Sequence, residues 1–187
     1  MNYKLKLEEI ELFVFDYDGV FTDGIVLLIE DGSNVRQANT RDGYAVQWAV
    51  KQGMNLAILT GGKEESVRSR MKLLGVNEVH LGCHDKLASL KELCGKLEIS
   101  LDKVMYMGDD MPDLLAMKEV GLSVCPNDAA TDILNIADYI SPVSGGKGCV
   151  REILEQAMRL KGIWSSKNGF SNFKICRILN LFFSYWY

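Results

Sequence analysis

Residues 13–24 read FVFDYDGVFTDG, and the fold can be worked out from there. The apolar run Leu12–Phe15 ends in two aspartates one residue apart, Asp16 and Asp18, followed by Gly19. A continuous apolar run, without in-out alternation, marks a strand covered on both faces, as in a parallel sheet. Burying charge without partners is costly, so two carboxylates at the mouth of such a strand must be compensated or put to use.

Outward from this strand, short apolar runs alternate with helical patterns. The segment 25–38 reads as a hairpin with Asp31-Gly32 as its turn. RDGYAVQWAVKQG follows as a helix closed by Gly53, then the strand NLAILT, then the helix KEESVRSRMKLLG. NEVHLG is a weaker strand and DKLASLKELCGKL a helix. KVMYMGDD is a strand, and MPDLLAMKEVG a helix with Pro112 in its first turn. The strand LSVCP, a short AATDILNIA helix, DYIS and the helix GCVREILEQAMRLKG complete the pattern. Strands alternating with helices of this length predict right-handed βαβ units. The expected fold is therefore a doubly wound three-layer α/β domain with a parallel sheet, a hairpin insertion after strand 1 and no large cap domain. Trp48 and Met105 read as core, and Tyr17 should point inward by strand alternation.

The chain has 187 residues, of which 48% are hydrophobic and 25% charged, with a net charge of −4. That suits one soluble domain and argues against a nucleic-acid binder, which needs concentrated Lys and Arg. Five scattered cysteines without a CxxC pair fit neither a disulfide framework nor a zinc site and suit a reducing cytoplasm. The N-terminus is too charged for a signal peptide, and no run is long enough for a membrane span. From Ile163 onward the chain has no acidic residue, three basic ones and eight of its 17 aromatics. Residues 1–162 form the expected domain, and 163–187 form a compositionally separate tail.

The polar residues converge. Asp16 and Asp18 follow the first strand, Thr60 follows NLAIL, and Asp109 and Asp110 follow VMYMG. Open α/β sheets place their ligand crevice at these carboxyl ends of the strands, and Lys86 opens a helix toward the same region. Carboxylates packed this closely need a cation, and all-oxygen donors select a hard ion such as Mg2+. A carboxylate beside that ion can attack a phosphoryl group, while metal and lysine neutralise the transferring oxygens. The second aspartate can protonate the leaving alkoxide and then deprotonate the attacking water. His80 and His84 lack an accompanying serine or cysteine motif and read as structural.

DYDGVFTDG, LTGG, DK and GDDMPD, in this order, resemble the four motifs of the haloacid dehalogenase superfamily of phosphohydrolases. The resemblance implies Asp16 as nucleophile, Asp18 as general acid/base, and Thr60 and Lys86 as phosphate ligands. It implies Mg2+ on the Asp16 carboxylate, the Asp18 backbone carbonyl and Asp109, with Asp110 and Asp113 in support. Together with NTRDGYA and GGKGCVREI, the motifs are similar to those of the small, capless 3-deoxy-D-manno-octulosonate 8-phosphate phosphatase group over about residues 8–162. Members of that group are cytoplasmic homotetramers of lipopolysaccharide precursor synthesis, assembled through the hairpin. The likeness implies a substrate pocket of Asp18, Asn39, Thr40, Arg41, Asp42, Gly43, Gly61, Arg70 and Lys86. Gln47 and Gly62 stand where many members carry arginine, which keeps a nine-carbon sugar-acid 9-phosphate open as the alternative substrate. A non-catalytic relative is disfavoured by the intact Asp16/Asp18 pair. A signalling receiver module would carry its acidic pair first, whereas here it comes last.

Overall fold

The computed structural model describes residues 2–164. The expected tail therefore lies outside the described residues apart from Ile163 and Trp164. The elements run α1 (Tyr3–Glu9), β1 (Leu12–Phe15), β2 (Leu27–Leu28), β3 (Asn34–Val35), α2 (Thr40–Lys51) and β4 (Asn55–Leu59). They continue α3 (Glu65–Leu73), β5 (Glu78–His80), α4 (Lys86–Leu97), β6 (Val104–Met107) and α5 (Leu114–Glu119). The last are β7 (Leu122–Cys125), α6 (Thr131–Leu134), β8 (Tyr139–Ile140) and α7 (Cys149–Leu160).

Six strands form one sheet in the order β5-β4-β1-β6-β7-β8, and every neighbouring pair is parallel. β1 lies between β4 and β6, so the chain leaving it enters the crevice flanked by both neighbours' carboxyl ends. Strand alternation divides the apolar run between two cores. Phe13 and Phe15 pack with Val46 of α2, Met71 of α3 and Ile153 and Leu154 of α7. Leu12 and Val14 face the other way, with Leu90 and Leu93 of α4, Met117 of α5 and Ile133 of α6. Burial on both faces is what made the strand read as unbroken hydrophobicity. Met105 is fully buried as expected, and Tyr17 is buried with its ring stacked on Phe21 at 5.5 Å. Trp48, expected in the core, is only half-buried. Its indole stacks on Tyr44 at 6.4 Å between centroids and donates to the Ile163 carbonyl at 3.4 Å.

The hairpin forms as an arm of two two-residue strands, β2 against β3, closed through Asp31 and Gly32. The Asp31 carboxylate accepts from the Ser33 amide at 2.8 Å, and Gly32 takes the left-handed φ of +85°. The helix α1 was not legible in the charged N-terminus. Only Leu7 is buried along it, and the Asn2 side chain caps its first amides. The helix expected from Met111 begins as a single 3-10 turn, Met111–Asp113, before α5. There Asp110 and Asp113 form a reciprocal capping box that tightens the turn. Among the described residues no helix is long and apolar enough to cross a membrane.

α4 ends on Glu98 at φ +56° rather than on glycine. A left-handed residue with a side chain costs roughly 1–2 kcal/mol, against about 0.5–1 kcal/mol for glycine's greater freedom in the unfolded chain. Glu98→Gly is therefore expected to stabilise the protein by about 0.5–1 kcal/mol. Urea unfolding monitored by circular dichroism measures this directly, and a loss of stability would contradict it.

Candidate active site

The sheet delivers four loops to one cavity of about 420 Å3, lined by Asp16, Asp18, Gly19, Thr60, Gly61, Lys86, Asp109, Asp110 and Asp113 among others. Asp16 extends the register of β1, its amide donating to the Met107 carbonyl at 2.9 Å. The chain then turns tightly, with the Tyr17 carbonyl accepting from the amides of Phe21 and Thr22. Gly19, at φ +81°, makes this possible. A Cβ there would overlap the Asp109 carboxylate, so the loops after β1 and β6 touch directly. The Thr60 hydroxyl accepts from the Gly62 amide at 3.1 Å, which shapes the loop after β4.

Lys86 starts α4 and is buried, with its ammonium 3.0 Å from Asp16 Oδ1 and 2.6 Å from Asp113 Oδ1. Asp113 is fully buried, and both its oxygens are committed. Oδ1 accepts from Lys86 and from the Tyr106 hydroxyl at 2.8 Å. Oδ2 accepts from the amides of Asp109 at 3.2 Å and Asp110 at 3.4 Å. Asp113 therefore orients the lysine and the β6 loop.

The electrostatics are unbalanced. Burial, then repulsion from Asp113, pushes Asp16 up to about 8 despite Lys86. Burial, and again Asp113, pushes Asp109 up to about 7. Burial works against the charge on Lys86, but Asp16 and Asp113 outweigh it and raise its pKa. Oxygens of Asp16, Asp109 and Asp113 lie within 4.8 Å of one another. With Asp113 saturated, Asp16 and Asp109 are the donors free to hold a cation. Two carboxylates that hold protons near neutrality for want of positive charge, offering oxygen alone, fit a hard divalent ion.

Gly61, Asp18 and Lys86 line this cavity, but the other residues expected around the substrate do not. Asn39 caps α2, its side chain accepting from the Arg41 amide at 2.9 Å and donating to the Gly146 carbonyl at 3.1 Å. Thr40 is the first residue of that helix. Arg41 lines a separate cavity of about 590 Å3 with Lys147 and Arg151. Asp42 is fully buried and accepts from the Arg151 amide at 2.6 Å, holding the start of α7, and burial pushes it up to about 6. Gly43 lies against the Arg70 guanidinium, and Arg70 lines a third cavity with Tyr17 and Arg36. His84 reaches the rim of the main cavity, while His80 pairs with Glu78 at 3.2 Å.

Four contributors were not anticipated. Arg36 of the arm reaches the Asp18 carboxylate at 2.6 Å and Glu64 at 3.3 Å. Thr22 is fully buried, its hydroxyl accepting from the amides of Gly19 and Gly24 and donating to Asp18. Tyr106 supports Asp113. Only the TDG run gave any sequence signal; a lone arginine in an exposed arm gave none.

A family model described as haloacid dehalogenase-like hydrolase matches residues 78–153. The 3-deoxy-D-manno-octulosonate 8-phosphate phosphatase of Escherichia coli K12 is 36% identical over 164 residues, 88% of this chain and 87% of that protein. The chain belongs to the 3-deoxy-D-manno-octulosonate 8-phosphate phosphatase family. It is a phosphatase with the haloacid dehalogenase-like fold. The crystal structure of the family member from Yersinia pestis superimposes with a TM-score of 0.85 at 31% identity, covering 87% of this chain and 88% of that one. The member from Moraxella catarrhalis, solved with magnesium, phosphate and KDO, gives 0.82 at 33% identity over 94% and 98% of the two chains.

The raised carboxyls make stability depend on pH and metal together. Without metal the folded protein holds protons on Asp16 and Asp109 that unfolded carboxyls near 3.8 release. Folding then takes up protons, so this contribution to stability falls as pH rises from about 4 toward 7–8. A bound cation replaces those protons. The increase in Tm on adding Mg2+ to chelated protein is expected to be larger at pH 8 than at pH 5. An equal increase at both would contradict the assignment.

Proposed function

We propose that this chain hydrolyses 3-deoxy-D-manno-octulosonate 8-phosphate to the free sugar acid and phosphate, with Mg2+ as cofactor. The observation that carries this is the Asp16/Asp18 pair opening onto one cavity with Lys86 and Asp109, in a chain 36% identical to the E. coli phosphatase over 88% of its length. The magnesium and KDO bound to the Moraxella protein support both cofactor and substrate.

In this reading a carboxylate oxygen of Asp16 attacks phosphorus and forms an aspartyl-phosphate as the ester oxygen leaves. Asp18 gives its proton to that oxygen, then takes one from the water that cleaves the aspartyl-phosphate. Thr60, the Gly61 loop and the Lys86 ammonium hold the phosphoryl oxygens. Asp16, the Asp18 carbonyl and Asp109 hold Mg2+, whose contribution is charge neutralisation of the transferring group. Asp113 keeps Lys86 charged and aimed. Asn39, Thr40, Arg41, Asp42, Gly43 and Arg70 are kept as candidates for the sugar side, acting within the assembled oligomer and not in the cavity of a single chain.

A homotetramer in the cytoplasm, serving lipopolysaccharide precursor synthesis, is part of the proposal. Its support is the arm, which exposes Ile25, Leu27, Leu28, Ile29 and Val35 together. The proposed domain is 1–162, with 163–187 an appendage set apart by its composition. Gly62 lines the cavity without a side chain, which keeps the nine-carbon 9-phosphate as a second substrate to test.

Phosphate release from both sugar-acid phosphates, with and without Mg2+, tests the reading. Turnover should need the metal and fall at least about 10³-fold in Asp16→Asn. Activity surviving chelation and that substitution would refute the mechanism. A preference for the nine-carbon ester would leave the chemistry and remove the substrate.

A further inference from the structure

We propose that Arg36 is a positioning residue for the acid/base carboxylate, so that the arm, through the residue that follows β3, completes the active site. This rests on the phosphatase reading above. The Arg36 Nε–H donates to Asp18 Oδ1 at 2.6 Å, and Nη1 lies 3.3 Å from Glu64 Oε1. Asn34, two residues earlier in β3, donates its side-chain amide to that Glu64 oxygen at 3.2 Å. The returning side of the arm, residues 34–36, therefore grips the start of α3 through two side chains and the loop after β1 through one.

The distribution of contacts on Asp18 gives the arrangement its direction. Arg36 and the Thr22 hydroxyl, at 3.3 Å, both bind Oδ1. Among the described residues none hydrogen-bonds Oδ2. Anchoring one oxygen from two sides fixes the rotation of the carboxyl and aims the other into the cavity that Asp18 lines. Oδ2 is the oxygen left to carry the proton to the departing alkoxide. A planar guanidinium suits this task better than a flexible ammonium, because its donors leave in fixed directions.

Arg36 has a side chain only 12% exposed, and it sits between two carboxylates. Its charge is already neutralised, so it is a poor grip for an anionic substrate. An arm with four exposed strand residues gains little packing from a buried guanidinium. The role that remains is to set the acid/base.

The experiment compares two substrates whose leaving groups differ in their need for a proton. An alkyl phosphate expels an alkoxide that must be protonated, whereas p-nitrophenyl phosphate expels a stable phenolate. Because kcat/KM covers the steps up to departure of the leaving group, the later hydrolysis of the aspartyl-phosphate does not enter it. Arg36→Ala is expected to lower kcat/KM roughly 10- to 100-fold for the alkyl ester and less than about 3-fold for the aryl ester. Arg36→Lys should recover only part of the loss, because its ammonium restores the charge but not the fixed donor directions. Equal losses on both esters would overturn the proposal, as would an unchanged alkyl rate. Should Arg36→Ala fail to fold by circular dichroism, Glu64→Gln provides the same readout. It removes the charge that holds the guanidinium and must shift the alkyl-to-aryl ratio in the same direction; an unchanged ratio overturns the proposal. Wild-type protein that with Mg2+ turns over neither ester, nor 3-deoxy-D-manno-octulosonate 8-phosphate, would sink the phosphatase reading itself, before any variant is compared.

Discussion

Three carboxylates, Asp16, Asp109 and Asp113, crowd one ammonium, Lys86, in a buried space at the carboxyl end of the sheet. One positive charge cannot compensate three negative ones at such distances in a medium of low polarity. The surrounding structure divides the problem. Both oxygens of Asp113 are satisfied by the lysine, a tyrosine hydroxyl and two backbone amides, so it has no further need of an ion. Asp16 and Asp109 are left short of positive charge, and that shortage is what an incoming metal and phosphate meet. Stability and the proposed chemistry are thus opposed at the same atoms: the residues left short of positive charge are those proposed to hold the ion.

The sheet order explains why these residues meet. With β1 between β4 and β6, residues 16, 60 and 109 occupy adjacent strand ends although they are distant in the chain. This was legible in the sequence because polar residues interrupted apolar runs at the same place in successive βα units. The fold itself was legible for the related reason that doubly buried strands leave no polar positions to confuse the pattern. The capping box that turns Met111–Asp113 into a 3-10 turn and the Asn2 cap of α1 were not, because both depend on side-chain geometry over three or four residues. The bridge from Asp18 through Arg36 to Glu64 was hidden for a different reason. Arg36 and Glu64 lie 28 residues apart on segments of ordinary surface composition, and only the folded arm brings them together.

The residues 39–43 show the limit of motif reasoning. NTRDG looks like a binding loop, yet in one chain Asn39 is a helix cap, Asp42 anchors the first turn of α7, and Gly43 makes room for the Arg70 guanidinium. Each has a structural task that accounts for its identity, and each lies away from the main cavity. A short motif can therefore be kept for architecture and for recognition at once, and spacing alone does not separate the two.

Glycines line the path of the loop after β1. A Cβ on Gly19 would overlap Asp109, and one on Gly145 would overlap the Gly19 carbonyl. One on Gly146 would press into the backbone at Thr22 and Asp23. Against residues 145–146 main chain lies on main chain, and against the loop after β6 Gly19 lies on the Asp109 carboxylate. Any displacement of the loop after β1 would therefore disturb both of these contacts at once. On the other wall the arm is tied in through side chains, Arg36 to Asp18 and Glu64 and Asn34 to Glu64. One wall of the cavity is thus set by how closely glycines let the loops approach, and the other by the reach of two side chains.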